Sequence, residues 1–355
     1  ASIVMVATTP LLADNVEASL ALLSDIVRQP RFDGKEFERR KAERVAGALG
    51  REANPEVGRS AVLRRALFGT GYASQEPGGT RPSLESITLA EVQAQYAALI
   101  KPARAAVVVV GAIDASEVEG MLENTFGDWS GSPTVRSPEV ESEPPKPGIY
   151  IVDYPGAQQT AISVVRRAPS QNAPDLFAGE VFSWVLGGAF TSRLNLNLRE
   201  DKGYTYGARA GFNRYRDSGT FSLSAQVKTD TTRASIDEML KELGDIAGER
   251  PLTEAEYGDA INGLRLGFPQ RFARISSLAG QIAELPLYGR PTDWLTTWSE
   301  RVGSVSLKDA NETAARTSKP EEFVIVLAGD RKAIEASLES LELPIFAFDA
   351  NGDQL

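Results

Sequence analysis

The sequence predicts an α+β protein of two homologous sheet-plus-helices domains, the first lacking its N-terminal third. Three observations carry that prediction. The end of the chain repeats its middle, apolar runs of strand length alternate with amphipathic helices, and a proline-rich stretch separates the two copies.

The repeat is in register. Ile87-Thr88-Leu89, Lys101-Pro102 and Gly111 recur as Val305-Ser306-Leu307, Lys319-Pro320 and Gly329, each pair 218 positions apart without a gap. Between the last two landmarks lie Ala106–Val110 and Val324–Ala328, apolar runs of buried-strand character. Upstream, with small slips, Asp14 and Ala18-Ser19-Leu20 match Asp230 and Ala234-Ser235-Ile236, and Asp25-Ile26 matches Asp245-Ile246. Two copies of this size are domains rather than a solenoid. The second copy carries Gly148–Gly219 ahead of the strand Thr220–Ala225, whereas the first opens almost directly on the matching run Ser2–Ala7. The expectation is that the front third of the first domain is missing. The domains are then 1–129 and 148–355, joined by a linker over 130–147.

In the first copy, Asp14 or Asn15 can cap a helix with Val16, Leu20, Leu23 and Val27 on one stripe. Helices follow over Asp33–Leu49 and Glu56–Phe68. Another starts near Thr88 with Val92, Tyr96 and Leu99 inward, then comes the Val107 strand, then a helix from Asp114 carrying Val118, Met121, Leu122 and Phe126. The linker holds Pro133, Pro138, Pro144, Pro145 and Pro147 with Glu139, Glu141 and Glu143, a composition that favours an extended chain over a core.

In the second copy, Ile149–Val152 and Thr160–Val165 read as strands around a Pro155-Gly156 turn. A helix from Pro174 to about Leu186 stops at Gly187-Gly188, where glycine can take the left-handed conformation. A short helix through Arg193–Arg199 leads to the strands Tyr204–Phe212 and Gly219–Val227. Helices recur near 231–246, 253–267, 271–285, 291–300, 306–316 and 331–340.

Composition narrows the chemistry. The 355 residues are 42% hydrophobic, enough for two cores. No stretch approaches the roughly 18 consecutive apolar residues of a membrane span. No basic region followed by an apolar run opens the sequence, which says nothing of secretion if the front is absent. A net charge of −10 argues against a general nucleic-acid surface and is compatible with cationic peptides. With no cysteine and no histidine, this chain can form no disulfide, no Ser-His-Asp site and no Cys-His site. Any zinc site in it would need carboxylates alone, against that metal's preference for imidazole and thiolate.

The densest signals lie at Leu186-Gly187-Gly188, Thr191-Ser192-Arg193-Leu194, Leu198-Arg199-Glu200, Gly203-Tyr204-Thr205-Tyr206 and Asp217-Ser218-Gly219. With Pro30–Pro55, Leu84–Thr88 and Lys101–Asp114, they resemble the pitrilysin/insulinase-type zinc peptidases, across essentially the whole chain. That family includes the mitochondrial processing peptidases and their non-catalytic relatives in respiratory core subunits. The family's zinc motif, His-x-x-Glu-His with a distant Glu, does not occur here. Its place in the second copy is taken by Leu176–Val185, near which the acids are Asp175 and Glu180. Glu36, Glu38 and Glu43 lie on the helix that supplies the distant ligand in active relatives; without imidazoles they read as a solvated face.

The resemblance implies a role for Arg199 and Tyr206. In two-part relatives such a pair comes from the non-zinc half and reaches the substrate across the chamber. A tyrosine hydroxyl can donate to a scissile carbonyl as charge develops, and an arginine can hold a backbone carbonyl or orient that tyrosine. Tyr204 is the rival aromatic, placed on the same face as Tyr206 by strand alternation, while Arg193 reads as a packing or pairing residue. Gly187 and Gly188 stand where processing peptidases have a glycine-rich substrate loop, although two glycines also suit a simple helix stop. Asp349, Asn351 and Asp353 mimic the start of a calcium loop, but Gln354 stands where glycine is needed.

The expectation is a histidine-free subunit of a heteromeric, bacterial-type zinc metallopeptidase, with no catalytic or metal-binding residue of its own. A homologous zinc-bearing partner would supply the metal, peptides would bind extended along a sheet edge, and neither nucleic acid nor membrane would be a partner. The compartment, bacterial periplasm or cytoplasm, stays open. Two alternatives stand beside it: a catalytic zinc peptidase whose motif segment is missing from this sequence, and a non-enzymatic scaffold.

Overall fold

All strands of the computed structural model, which describes residues 15–52, 54–69, 71–134, 145–350 and 352–355, belong to one sheet. They are β1 (Ile149–Asp153), β2 (Gln159–Ala168), β3 (Thr205–Arg214), β4 (Gly219–Lys228), β5 (Val324–Gly329) and β6 (Ile345–Phe348), in the order β3-β4-β2-β5-β1-β6. β1 runs parallel to both β5 and β6, and β5-β2-β4-β3 is antiparallel throughout. The central strands are buried on both faces, so they read as unbroken apolar runs such as Val324–Leu327.

Side-chain alternation splits those strands between two cores. Toward one face point Ile149, Ile151, Ile162, Val164, Ile325 and Leu327. They meet α7 (Leu176–Ser183), α9 (Thr232–Gly244), α10 (Glu254–Gly267), α12 (Trp298–Gly303), α13 (Leu307–Thr317) and α14 (Arg331–Leu338), with Phe182, Ile236 and Met239 fully buried among them. Toward the other face point Tyr150, Val152, Val165, Val324 and Val326. That face is covered by a helix from the N-terminal stretch, α3 (Pro55–Phe68), through Val62, Ala66 and Leu67. Gly58 lets the helix settle: a Cβ there would lie 2.7 Å from both the Ala350 carbonyl and the Tyr154 hydroxyl. Arg59 bonds Ser163, Arg65 bonds the Gly352 carbonyl, and Arg167 donates to the Leu67 carbonyl at 2.5 Å, so polar contacts frame the apolar seat.

The remaining N-terminal helices are α1 (Val16–Arg28), α2 (Gly34–Glu52), α4 (Arg81–Ser86), α5 (Leu89–Leu99) and α6 (Ala115–Phe126). Arg28 donates to the Thr125 carbonyl at 3.1 Å and forks onto Asp128 at 2.8 and 2.9 Å, and the Tyr96 hydroxyl donates to the Val27 carbonyl, tying α1 to α6 and α5. α4 went unread in the sequence.

The repeat has structural content. Thr88 and Ser306 each close a capping box, with Glu91 and Asp309, and Pro102 and Pro320 each open a 3₁₀ turn. The expected strand at Ala106–Val110 is a correction. Residues 105–110 join no ladder among the described residues, and Val107 and Val109 are 44% and 36% exposed. An apolar run becomes a strand only where a neighbour supplies hydrogen bonds. The matching run Ser2–Ala7, the Asp14 cap, most of the 130–147 linker and Asn351 lie outside the described residues.

Past α10, the chain continues through α11 (Ile275–Tyr288), which ends on Gly289 in the left-handed conformation. A short helix, α8 (Arg193–Asn195), leads into a wide π turn over Leu196–Asp201.

Candidate functional site

The sequence-derived residues gather where the end of α7, the α8 turn and edge strand β3 meet. Gly187 and Gly188 close a π turn over Trp184–Gly188 that continues α7. Neither glycine has positive φ, so the expected left-handed helix stop is not used. Gly187 serves close approach instead. It is buried against β3, and a Cβ there would overlap the backbone nitrogen of Ala210. Gly188 is exposed and leads into Ala189 and Phe190, the latter 63% exposed.

Arg199 lies on the Leu196–Asp201 turn with its guanidinium 4.4 Å from the centroid of the Phe190 ring, and its Nε is 3.2 Å from a Glu200 oxygen. The neighbouring Leu198 carbonyl accepts the Tyr204 N–H at 2.9 Å, which sets the Arg199 turn beside the start of β3. β3 is an outer strand of the sheet, and its pairing with β4 slips between Thr205 and Ala208. This bulge re-aims the chain. Tyr206, within it, is 91% exposed, whereas Tyr204 is half-buried and packs on the core. The alternation argument that put the two tyrosines on one face fails because Tyr204 precedes the ladder and the bulge interrupts it.

The bulge is held by two polar side chains. The Thr205 hydroxyl donates to the Gln226 carbonyl at 2.7 Å and accepts the Gly207 N–H at 3.2 Å. Asn195, 8% exposed, accepts the Ala208 N–H at 2.9 Å and donates to the Ala189 carbonyl at 3.0 Å. One amide therefore bridges the turn after Gly188 and the strand after Tyr206. Sequence reasoning missed Asn195. Its signal was an amide between Leu194 and Leu196, one of two with Asn197 in a helix otherwise read for its arginines.

Arg193 is structural. It is 6% exposed, donates through Nε and Nη2 to the two Glu256 oxygens at 2.7 Å each, and caps the carbonyls of Arg250 and Pro251. Burial pushes the Glu256 carboxyl up, but the Arg193 fork and the Thr253 bonds outweigh it and hold the group at about 2.

The acids near the position of the family's zinc motif are occupied by packing. Asp175 pairs with Arg316 at 2.6 Å and lies 3.5 Å from Arg214. Burial raises the Glu180 carboxyl, opposed by Arg271 and Arg214. Glu36 and Glu43 pair along their own helix with Arg39 and Arg40, as a solvated face does. Asp349 and Asp353 are joined by a tight turn in which the Asp353 N–H donates to the Asp349 side chain at 2.9 Å. Among the described residues, no group of three or more potential ligand side chains is placed to hold a metal ion.

The family profile described as Peptidase M16 inactive domain matches residues 86–264. A Helicobacter pylori protein named non-peptidase homolog YmxG is 22% identical over 329 residues, covering 92% of this chain and 75% of its own length. An uncharacterized zinc protease of Mycobacterium leprae is 24% identical over 262 residues, 72% of this chain and 58% of its own, so this chain spans under two thirds of that relative. Among solved structures, the peptidase M16 inactive domain from Pseudomonas fluorescens superposes with a TM-score of 0.81 at 24% identity, covering 90% of this chain and 76% of that one.

Proposed function

Since the chain belongs to the peptidase M16 inactive-domain family, we propose that it is the substrate-holding subunit of a heteromeric zinc peptidase and completes its partner's active site through Arg199 and Tyr206. The partner, a zinc-bearing homologue, supplies the metal, the base and the water. This chain has no histidine from which to build the inverted motif.

The observation that carries the reading is Tyr206. A tyrosine 91% exposed contributes little to the stability of its own fold, yet its backbone is fixed on both sides by Thr205 and Asn195. Such an arrangement presents the hydroxyl to something outside the chain. Across a chamber, that hydroxyl would donate to a peptide carbonyl as negative charge develops, and Arg199 beside it would hold a neighbouring carbonyl. β3 is an outer strand, so an extended peptide can pair with it and be delivered past both side chains. Phe190 keeps the Arg199 guanidinium stacked until a carbonyl competes for it.

The experiment mixes this chain with the zinc-bearing homologue from the same source and follows cleavage of a fluorogenic peptide. Turnover should rise on mixing, and Tyr206→Phe should remove about 100-fold of the gain. No gain on mixing, or full gain with Tyr206→Phe and Arg199→Ala, sinks the proposal in favour of a scaffold. Tightly held zinc and hydrolysis by the full-length gene product alone would mark a catalytic peptidase instead.

A further inference from the structure

At the end of α7 opposite Gly187 lies a cavity of about 900 Å³, within the range of small-ligand sites. Neither Arg199, Tyr206 nor the Gly187–Phe190 turn lines it, so this cavity is separate from that rim. Phe177, Tyr288 and Trp294 form an aromatic wall. Trp294 carries two guanidiniums, those of Arg290 at 4.3 Å and Arg301 at 4.8 Å from its ring centroid. Gly289 turns the chain so that Arg290 follows directly, and Asn172 donates to the Tyr288 carbonyl at 2.9 Å, fixing the turn.

Arg290 is anomalous. Its side chain is 7% exposed, yet Nε and Nη2 have no hydrogen-bond partner, and its nearest carboxylate, Glu284, stands 3.7 Å from Nη1. Burying a guanidinium with two of its nitrogens unbonded is costly, and the long pairing with Glu284 and the stacking on Trp294 and Tyr288 recover only part of that cost. A cation held this way is short of an acceptor for Nε and Nη2.

We propose that this cavity binds a carboxylate carried on an apolar or aromatic group, the carboxylate meeting Arg290 and the apolar part lying on Phe177 and Trp294. The planar guanidinium matches the two oxygens of a carboxylate. Asp309 and Glu312, which also line the cavity, repel a doubly charged phosphate more than a single carboxylate. Asp175 is already matched by Arg316 and does not compete. The Arg290 guanidinium turns off the Trp294 ring into the cavity, and pairing with the carboxylate drives that turn. The carboxyl end of a peptide and a free aromatic acid are the two sources of such a ligand.

Calorimetry on this chain alone tests the inference, so it stands or falls separately from the trans-site reading. The probes are an N-acetylated hexapeptide ending in Leu as the free acid, the same peptide as its C-terminal amide, N-acetylphenylalanine, and inorganic phosphate. The free acid should bind about tenfold more tightly than the amide. N-acetylphenylalanine matching the peptide acid supports the inference and identifies a free acid as the ligand; weaker binding than the peptide acid supports it and identifies a peptide end. Arg290→Met should fold, because an apolar chain replaces a poorly bonded buried charge and the Glu284 carboxylate left behind is over a third exposed, and should erase the preference for acid over amide. Arg290→Lys keeps the charge, loses the fork, and should cut the preference to about threefold. Equal binding of acid and amide, an unchanged preference in either variant, or phosphate binding as tightly as the peptide acid overturns it.

Discussion

The Asn195 side chain accepts the backbone N–H of Ala208 at 2.9 Å while donating to the carbonyl of Ala189, so a single amide locks the Gly188 turn to the strand that presents Tyr206. Asn195→Leu leaves a buried N–H and a carbonyl unpaired. A loss of about 2 kcal/mol is expected, read as a lower urea midpoint, with faster hydrogen exchange at the Ala208 amide. Unchanged protection at Ala208 would show that the strand holds its bulge without Asn195.

Gly187 and Gly188 should separate sharply on substitution. Gly187→Ala forces a methyl into the Ala210 backbone and should cost about 3 kcal/mol. At Gly188 the nearest atom to an added Cβ is the Ser183 carbonyl oxygen, 3.2 Å away, so Gly188→Ala should cost about 1 kcal/mol or less. Thermal melts of the two variants side by side check the order. Equal losses would mean that the π turn, rather than contact with β3, sets the requirement.

Acid should loosen the fold through Glu256. Its folded value of about 2 lies below the ordinary 4.5, so between them the unfolded chain binds more protons. The contribution is complete above about pH 5 and fades as pH falls toward 2, worth about 1 to 2 kcal/mol after allowing for solvent on the exposed third of the side chain. Urea midpoints taken at about pH 6 and pH 3 should fall less in Glu256→Gln than in the parent chain. Parallel pH curves would assign the acid sensitivity to other carboxylates.

The seat of α3 on the sheet should be a stability hot spot. Leu67 is 0% exposed, and Leu67→Ala should cost about 3 kcal/mol. Leu22, 61% exposed on α1, should cost under about 0.5 kcal/mol when cut to alanine. If denaturation midpoints of the two variants coincide, α3 is not integral to the cooperative unit.

Most elements between Ile149 and Leu338 were legible because each strand or helix carries its own period. Val324–Leu327 is apolar throughout, and Ser306 with Asp309 marks a helix start by local chemistry. β6 escaped notice because Ile345–Phe348 is four residues long and its pairing with β1 is parallel and remote. The place of α3 was also illegible: its apolar residues are spread around the helix, so the sequence marks neither the face that buries Val62 and Leu67 nor the sheet that receives them. At the candidate site, Arg199 and Tyr206 came from family resemblance. What distinguishes Tyr206 from Tyr204 is a bulge, and no residue pattern near Thr205 announces one. The run Val107–Val110 shows the converse, a strong local signal without a partner among the described residues to realise it.

A helix from the N-terminal stretch roofs a sheet assembled from residues 149 to 348, so the two parts of the chain should prove hard to part. Nicking the chain between Phe126 and Ile149 should yield two pieces that co-purify, since separation would strip the Leu67 seat and wet a face of valines. A recombinant fragment beginning at Gly148 would be born with that bare face and should be recovered as aggregate unless α3 is supplied alongside.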